Sequence, residues 1–225
     1  MQKLFFILCC LLITVATAYA QPERRYEFFG GYSNLQAEGI PDRDSPGSVF
    51  DDNFFERRKG LHGFEISGGG YFTSTFGLKG DFSFHTDKDS TDFVGGSDSI
   101  KTQVYYFLGG PMLRFANGNR VEPFVHAMAG GANTRFEAES VRMVTGGLTR
   151  SSFETNATDF AIVVGGGVDI RVNDWLSVRA AQIDWAPVFF RDRTINVLGS
   201  AGVIVPLTLD GQRQDNLRFS AGVVF

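Results

Sequence analysis

An apolar–polar alternation with a period of two residues constrains this chain more than any other feature. From Leu78 to His85, one parity holds Leu78, Gly80, Phe82 and Phe84, and the other holds Lys79, Asp81, Ser83 and His85. A strand sends alternate residues to opposite faces, so one face here is apolar and the other polar. Wound as a helix, the same charges would scatter around the cylinder. The pattern returns over about Arg25–Leu35, where Tyr26, Phe28, Gly30 and Tyr32 oppose Glu27, Phe29, Gly31 and Ser33. It returns over Gly63–Phe72, with Phe64, Ile66 and Phe72 opposite Glu65, Ser67 and Tyr71. Over Val121–Asn133, Val121, Pro123, Val125, Ala127 and Ala129 oppose Glu122, Phe124, His126 and Met128. Over Asp159–Val172, Phe160, Ile162, Val164, Val168, Ile170 and Val172 face away from Asp169 and Arg171. The stretch Lys101–Phe115 is apolar on both parities, and its facing is not readable. A further strand opens with Leu176 and Val178 opposite Ser177 and Arg179, then slips phase at Ala180-Ala181, where Gln182 and Asp184 change parity. The slip reads as a β-bulge or an exit from the apolar layer. The last strand is Asn216–Phe225.

Connection lengths alternate. Thr73–Phe76, Ala116–Asn119 and Asn173–Trp175 are tight turns, whereas Gln36–His62, Asp87–Ile100, Thr134–Thr158 and Val188–Asp215 are long and polar. An even strand count, with short turns at one end and long loops at the other, is the layout of a transmembrane β-barrel. Tilted strands of about ten residues cross the hydrocarbon core, and closure leaves no unpaired edge in lipid. The expected fold is all-β: an eight-stranded antiparallel up-and-down transmembrane β-barrel. It occupies residues 21–225 and carries four long external loops. Glycine pairs and triplets inside the strands, such as Gly68-Gly69-Gly70 and Gly165-Gly166-Gly167, suit the coiled strands and crowded interior of a small barrel. Thr194–Leu209 echoes the final strand and fits the plan less simply. The reading taken here is an outer-loop extension; a duplicated strand is the alternative.

The head of the chain reads as a secretory signal peptide over residues 1–20. Lys3 supplies the positive end, Leu4–Val15 the apolar stretch, and Ala18-Tyr19-Ala20 the small-x-small cleavage site. Cys9 and Cys10 both lie in this leader, so the expected mature chain excludes disulfides, thiol catalysis and cysteine metal sites. The net charge of −4 gives no reason to expect nucleic acid as a partner. No later window holds 18 consecutive apolar residues, which excludes a helical membrane protein. The mean hydropathy of −0.05 is what alternating lipid-facing and interior-facing residues average to.

In the terminal strand Leu217, Phe219, Ala221, Val223 and Phe225 share one face, and the chain ends on the aromatic. This resembles the C-terminal signal by which the barrel-assembly machinery recognises bacterial outer-membrane proteins. With Phe29-Gly30-Gly31-Tyr32 and the Phe72-x3-Phe76-Gly77-Leu78-Lys79-Gly80-Asp81 turn, the chain over about Tyr26–Phe225 resembles the eight-stranded bacterial outer-membrane β-barrel family, of the OmpA membrane-domain and OmpX type. The resemblance implies a Gram-negative outer membrane, periplasmic termini and external loops. Its implied partners are membrane lipid and lipopolysaccharide, with the assembly machinery and periplasmic chaperones during biogenesis. It implies no cofactor. The chain is expected to end at the barrel without a peptidoglycan-binding domain, so that tethering role is not implied.

Candidate chemistry lies on the polar faces. Asp81, Ser83 and His85 look like an orienter, a nucleophile and a base. Same-face neighbours on a strand lie about 6.6 Å apart, which strains direct hydrogen bonding along one strand. An outer-membrane lipid A deacylase family places its His before its Ser, the reverse of the order here. His126 is expected on the interior face with Glu122 and Phe124, and His62 at a loop end; three dispersed histidines make no metal motif. Glu27, Glu65, Asp81, Glu122 and Asp169 against Lys79, Arg171, Arg179 and Arg218 nearly balance, so the expected state is an ion-pair network that plugs the lumen. Phe50, Phe54 and Phe55 lie between Asp51-Asp52 and Arg57-Arg58-Lys59 and could form a contact patch. The leading reading is a non-enzymatic barrel that stabilises the envelope and presents loops for interaction or adhesion. The alternatives are a narrow gated pore and a barrel enzyme acting on lipid A or phospholipid. A soluble small-ligand barrel would need the apolar face inside.

Overall fold

The computed structural model describes residues 25–38, 58–115, 119–144, 147–198, 204–209 and 213–225. Its strands are β1 (Tyr26–Glu38), β2 (Arg58–Tyr71), β3 (Phe76–Phe93), β4 (Gly96–Arg114), β5 (Val121–Val144), β6 (Gly147–Arg171), β7 (Ser177–Trp185), β8 (Val188–Phe189), β9 (Arg193–Leu198), β10 (Ile204–Leu209), β11 (Arg213–Gln214) and β12 (Leu217–Val224). The leader and its cleavage site, the tight turn at 116–118, and Phe50, Phe54, Phe55 and Arg57 lie outside the described residues.

Each of β1 to β6 pairs antiparallel with the next, β6 with β7, β7 with β12, and β12 with β1, which closes a ring of eight strands. Reciprocal backbone bonds fasten the seam. Phe28 N donates to Phe225 O at 3.0 Å, and Phe225 N donates to Phe28 O at 2.9 Å. Partners followed once round the ring run Val121, Ile170, Val178, Val223, Gly30, Ile66, Phe82, Phe107 and Gly131. One circuit therefore returns to β5 ten residues further along. A stagger of this kind requires strands tilted by roughly 35–45° from the ring axis. β8 and β11 continue the walls of β7 and β12 beyond short interruptions, pairing with each other and with β6.

The alternation points as expected. Phe28, Phe64, Ile66, Phe107, Val125 and Ile183 are exposed on the outside, while Glu65, Asp81, Arg179 and Arg218 are buried within. In β4 the even parity faces inward: Thr102, Val104, Tyr106, Leu108, Met112 and Arg114. Both of its parities are apolar because the interior itself has an apolar layer toward the long-connection end. Leu35, Leu61, Val104, Tyr106, Ala161, Val163, Ala186 and Val188 pack together there. The phase slip in β7 is a bulge. Val168 pairs with Ala181 but Asp169 pairs with Arg179, so Ala180 is left over and Gln182 and Asp184 turn inward. Aromatic side chains ring the outside near both ends, with Tyr26, Phe72, Phe76, Phe115, Trp175 and Phe225 at the short-turn end and Tyr32, Phe84, Tyr105 and Trp185 at the other.

Two of the four expected long loops are corrected to strand. Asp87–Ile100 and Thr134–Thr158 pair regularly, with β3 turning into β4 at Val94-Gly95 and β5 pairing with β6 as far as Val144↔Gly147. β3 to β6 thus continue past the ring as a four-stranded sheet. Both faces of this extension carry charged and polar residues, so the strict apolar–polar contrast that marks a barrel strand is missing. Cross-strand ion pairs take its place: Arg142 with Asp98 at 2.7 Å, Arg150 with Glu139 at 2.6 Å and Arg135 with Glu154 at 2.8 Å. β9 and β10, within the stretch expected to be a loop extension or a duplicated strand, pair with each other in a separate two-stranded sheet, and neither is a wall of the ring.

Candidate functional site

The interior polar faces of β2, β3, β5, β7 and β12 converge on one cluster. Arg218, from β12, sits at its centre. Its Nε and Nη2 donate to Asp184 Oδ2 at 2.9 and 2.7 Å, and its Nη1 donates to Asp81 Oδ1 at 2.8 Å and Ser83 Oγ at 2.9 Å. Lys79 Nζ lies 3.2 Å from Glu65 and 3.6 Å from Asp81. Glu65 also accepts from Ser220 Oγ at 2.7 Å and from Gln182 Nε2 at 3.1 Å to each oxygen. His126 Nε2 is 2.9 Å from Asp184 Oδ1. These ionised and amide side chains are buried. A buried charge left without a partner is costly, and here each carboxylate is met by at least one cation.

Gln182 links this cluster to a second one. Its Oε1 accepts from Arg179 Nη1 at 2.9 Å. Arg179 forms a two-pronged pair with Asp169 at 2.8 and 2.9 Å and lies between the rings of Phe29 and Phe124, 4.4 and 4.1 Å from their centroids. The planar guanidinium suits both contacts, since it pairs edge-on and stacks face-on. Toward the short-turn end Tyr71 Oη donates to Glu27 at 2.7 Å, and Arg114 lies over the Tyr71 ring.

Of the residues expected in the interior, Glu27, Glu65, Lys79, Asp81, Asp169, Arg179 and Arg218 come together in these two linked clusters. Arg171 and Glu122, also expected there, stand apart from these clusters at the rim. They pair with each other, and the Arg171 side chain is 35% exposed because β6 ends there. Asp184, Gln182 and Arg114 were not among the expected residues. The first two were hidden by the bulge, whose signal was the Ala180-Ala181 slip, and Arg114 by the unreadable strand β4. The Asp81–Ser83–His85 trio is drawn apart. Ser83 Oγ accepts from Arg218, while His85 Nε2 lies 2.8 Å from Ser33 Oγ on β1. His62 is on the outer face of β2, hydrogen-bonded to Tyr32. At the long-connection end Lys59 pairs with Asp87 and Asp89. Burial works against its ammonium, but the hydrogen bonds to Asp89 and Asp87 outweigh this and raise its pKa. Among the described residues no group of His, Asp and Glu is arranged to hold a metal ion.

Residues 6–186 match the family described as outer membrane protein beta-barrel domain. The chain belongs to this family. It is therefore an outer-membrane protein of the Gram-negative envelope, and the exposed aromatic and aliphatic belt is its lipid-facing surface. Solved structures similar to the chain include three bacterial surface proteins, of which the first agrees in fold. OprG of Pseudomonas aeruginosa is 12% identical with a TM-score of 0.50, covering 88% of this chain and 93% of its own. Ail, the attachment invasion locus protein of Yersinia pestis, is 14% identical with a TM-score of 0.45, covering 90% and 99%. Neisserial surface protein A is 12% identical with a TM-score of 0.47, covering 91% and 98%. No curated protein matches by sequence. For this outer-membrane barrel, the Leu217, Phe219, Val223 and Phe225 side chains share the outer face of β12, and the Phe225 ring stacks on Trp175 at 6.1 Å.

Proposed function

We propose that this barrel is a non-enzymatic, non-conducting envelope protein that anchors an outward-facing sheet for interaction with other surfaces. The observation that carries this reading is the filled interior. Ion pairs and hydrogen bonds bridge opposite walls through Arg218, Asp81, Asp184 and Glu65, and an apolar layer packs above them. In an eight-stranded barrel the side chains just fill the space, so no aqueous path is left. The expected result in a planar lipid bilayer is no sustained ionic current from the purified protein. Steady openings that vanish in an Arg179→Ala variant would favour the gated-pore reading instead.

The enzyme reading needs a free Ser hydroxyl beside a base. Ser83 and His85 are each engaged elsewhere, inside a packed interior that a lipid substrate does not enter. The four-stranded extension supports the interaction reading. It carries Val94, Met143 and Leu148 exposed at its tip, beyond charged strands, which is the composition of a contact surface. In this reading the signal peptide is removed, both termini are periplasmic and the long connections face outward, surrounded by lipopolysaccharide. The terminal Phe225 strand engages the assembly machinery, and chaperones escort the chain to it. Protease added to intact cells is then expected to cut within residues 134–157 and to leave the ring intact. Full protection of that stretch in intact cells, with cleavage only after lysis, overturns the orientation.

A further inference from the structure

The four-stranded extension ends in two hairpin apices that lie side by side. β3 turns into β4 at Val94-Gly95, and β5 pairs with β6 as far as Val144↔Gly147. Met143 N donates to Gly95 O at 2.6 Å, which ties the two apices into one knob. Val94 is fully exposed, and Met143 and Leu148, directly opposite each other, are 69% and 71% exposed. The fold gives no reason for these residues. Turns ordinarily take Gly, Asn, Asp or Ser, and in the Val94-Gly95 turn only Gly95, with a φ of 92°, is fixed by its backbone. No charged residue occurs from Phe93 to Ser97 or from Met143 to Thr149.

Charge returns just behind the apices in a fixed order. Arg142 stands on the inner face, level with Gly96 and Thr149, and Arg150 on the outer face, level with Val141. Each pairs with an acid two positions nearer the ring. Arg142 meets Asp98, level with Ser140, at 2.7 Å, and Arg150 meets Glu139, level with Ser152, at 2.6 Å. Both guanidiniums therefore stand on the tip side of their pairs, one on each face of the sheet. Asp92, level with Ser97, is the one acid at this height among the described residues.

This order selects the occupant. A convex knob meets a protein only through a matching cavity, and protein contacts are anchored above all by Trp, Tyr and Arg. The apices carry neither Trp nor Tyr. A bilayer deforms around any convex apolar knob, and cations a short step behind the apolar residues fall at the level of its phosphates. The bilayer that holds the ring is out of reach. Gly96 lies nine residues along β4 from Tyr105 on the outer aromatic belt. That is about 30 Å of strand and, at the tilt of the ring, roughly 20 Å of height. We infer that the joined β3–β4 and β5–β6 apices are a wedge that inserts into a facing phospholipid bilayer, with Val94, Met143 and Leu148 at the acyl boundary and Arg142 and Arg150 among the headgroups. The inference rests on the outward orientation proposed above and adds the chemistry of the partner.

The test uses the folded protein in phosphatidylcholine nanodiscs, mixed with vesicles of phosphatidylcholine and phosphatidylserine and floated on a density gradient. The protein is expected to rise with the vesicles. The double variant Val94→Ser, Leu148→Ser is expected to lose about tenfold of that association, since two aliphatic side chains leave the contact. A wild-type protein that stays at the bottom overturns the inference. Equal flotation of the double variant places the contact elsewhere and also overturns it. Nanodiscs that pair without vesicles, and separate in the double variant, make a second copy the occupant and overturn it too. Heat-dependent gel migration checks that the variant has folded; if it has not, Val94→Ser alone replaces it, at a turn position that packs on nothing. Cleavage within residues 134–157 on intact cells, together with no flotation, overturns the lipid partner alone. Protection of that stretch on intact cells overturns the orientation beneath it.

Discussion

Arg218→Met is expected to destabilise the folded barrel by about 4 kcal/mol, because removing one partner of a buried ion cluster leaves its charges uncompensated. Arg218 is fully buried and meets Asp81, Asp184 and Glu65 at 2.8, 2.7 and 3.7 Å. Without it, Lys79 is the remaining cation beside Glu65 and Asp81, and Asp184 keeps only Gln182 and His126. Methionine fills most of the volume, so a loss of stability reports charge more than cavity. Urea unfolding in detergent, followed by the fluorescence of Trp175 and Trp185, measures the change. The double variant Arg218→Met, Asp184→Asn removes one stranded charge as well and is expected to recover part of the loss. Arg218→Lys is expected to fall between the two, since a point-like ammonium cannot hold three carboxylates in the fork geometry of a guanidinium. A midpoint unchanged in Arg218→Met would show that the cluster does not hold the walls together.

Gly165→Ala is the second large effect, near 3 kcal/mol, the upper part of the usual range for overpacking a filled interior. A Cβ at Gly165 would stand 2.1 Å from Asp184 Oδ1 and 2.4 Å from the carbonyl oxygen of Ile183. The carboxylate could swing away only by giving up Arg218 and His126. The carbonyl belongs to the neighbouring strand and cannot move without opening the β6–β7 ladder. Gly30→Ala is the matched control. Gly30 sits on the outer face with nothing within 4 Å of the point a Cβ would occupy, so the methyl group enters lipid. Its stability is expected to stay level or to rise by roughly 0.5 kcal/mol through the lower backbone entropy of alanine in the unfolded chain. The same midpoint measurement compares the pair, and equal losses at both positions would refute the steric account.

The ring was legible in the sequence because one face of each strand meets lipid and the other a polar interior. Leu78–His85 shows this plainly, since every residue there obeys a two-residue period. Legibility failed where that contrast failed. In β4 the interior side carries Val104, Tyr106 and Leu108, so neither parity could be named as inside. Beyond the ring, water wets both faces of β5 and β6, and Arg135 or Glu154 looks the same there as in a loop. Most of the interior cluster was legible, Arg218 at its centre included, but Asp184 and Gln182 were not. Asp184 follows a one-residue bulge, and its importance depends on a count of backbone positions that composition does not carry. The separation of Ser83 from His85 by their partners on β12 and β1 is a matter of which strands face one another across the ring, which no local pattern records.

The seam between β1 and β12 has a kinetic consequence. Phe28 and Phe225 meet from almost opposite ends of the chain, so every shorter piece of this protein has two bare edges. Lipid does not accept such edges, and water does not accept the aliphatic belt. No growing fragment therefore has a comfortable resting state in either solvent. Closure at this seam is expected to be a single late event, with the strands of the ring already paired elsewhere. Contacts so distant along the chain also close slowly. The interval before closure is thus the time when this protein is most exposed to proteolysis and to pairing with the wrong neighbour.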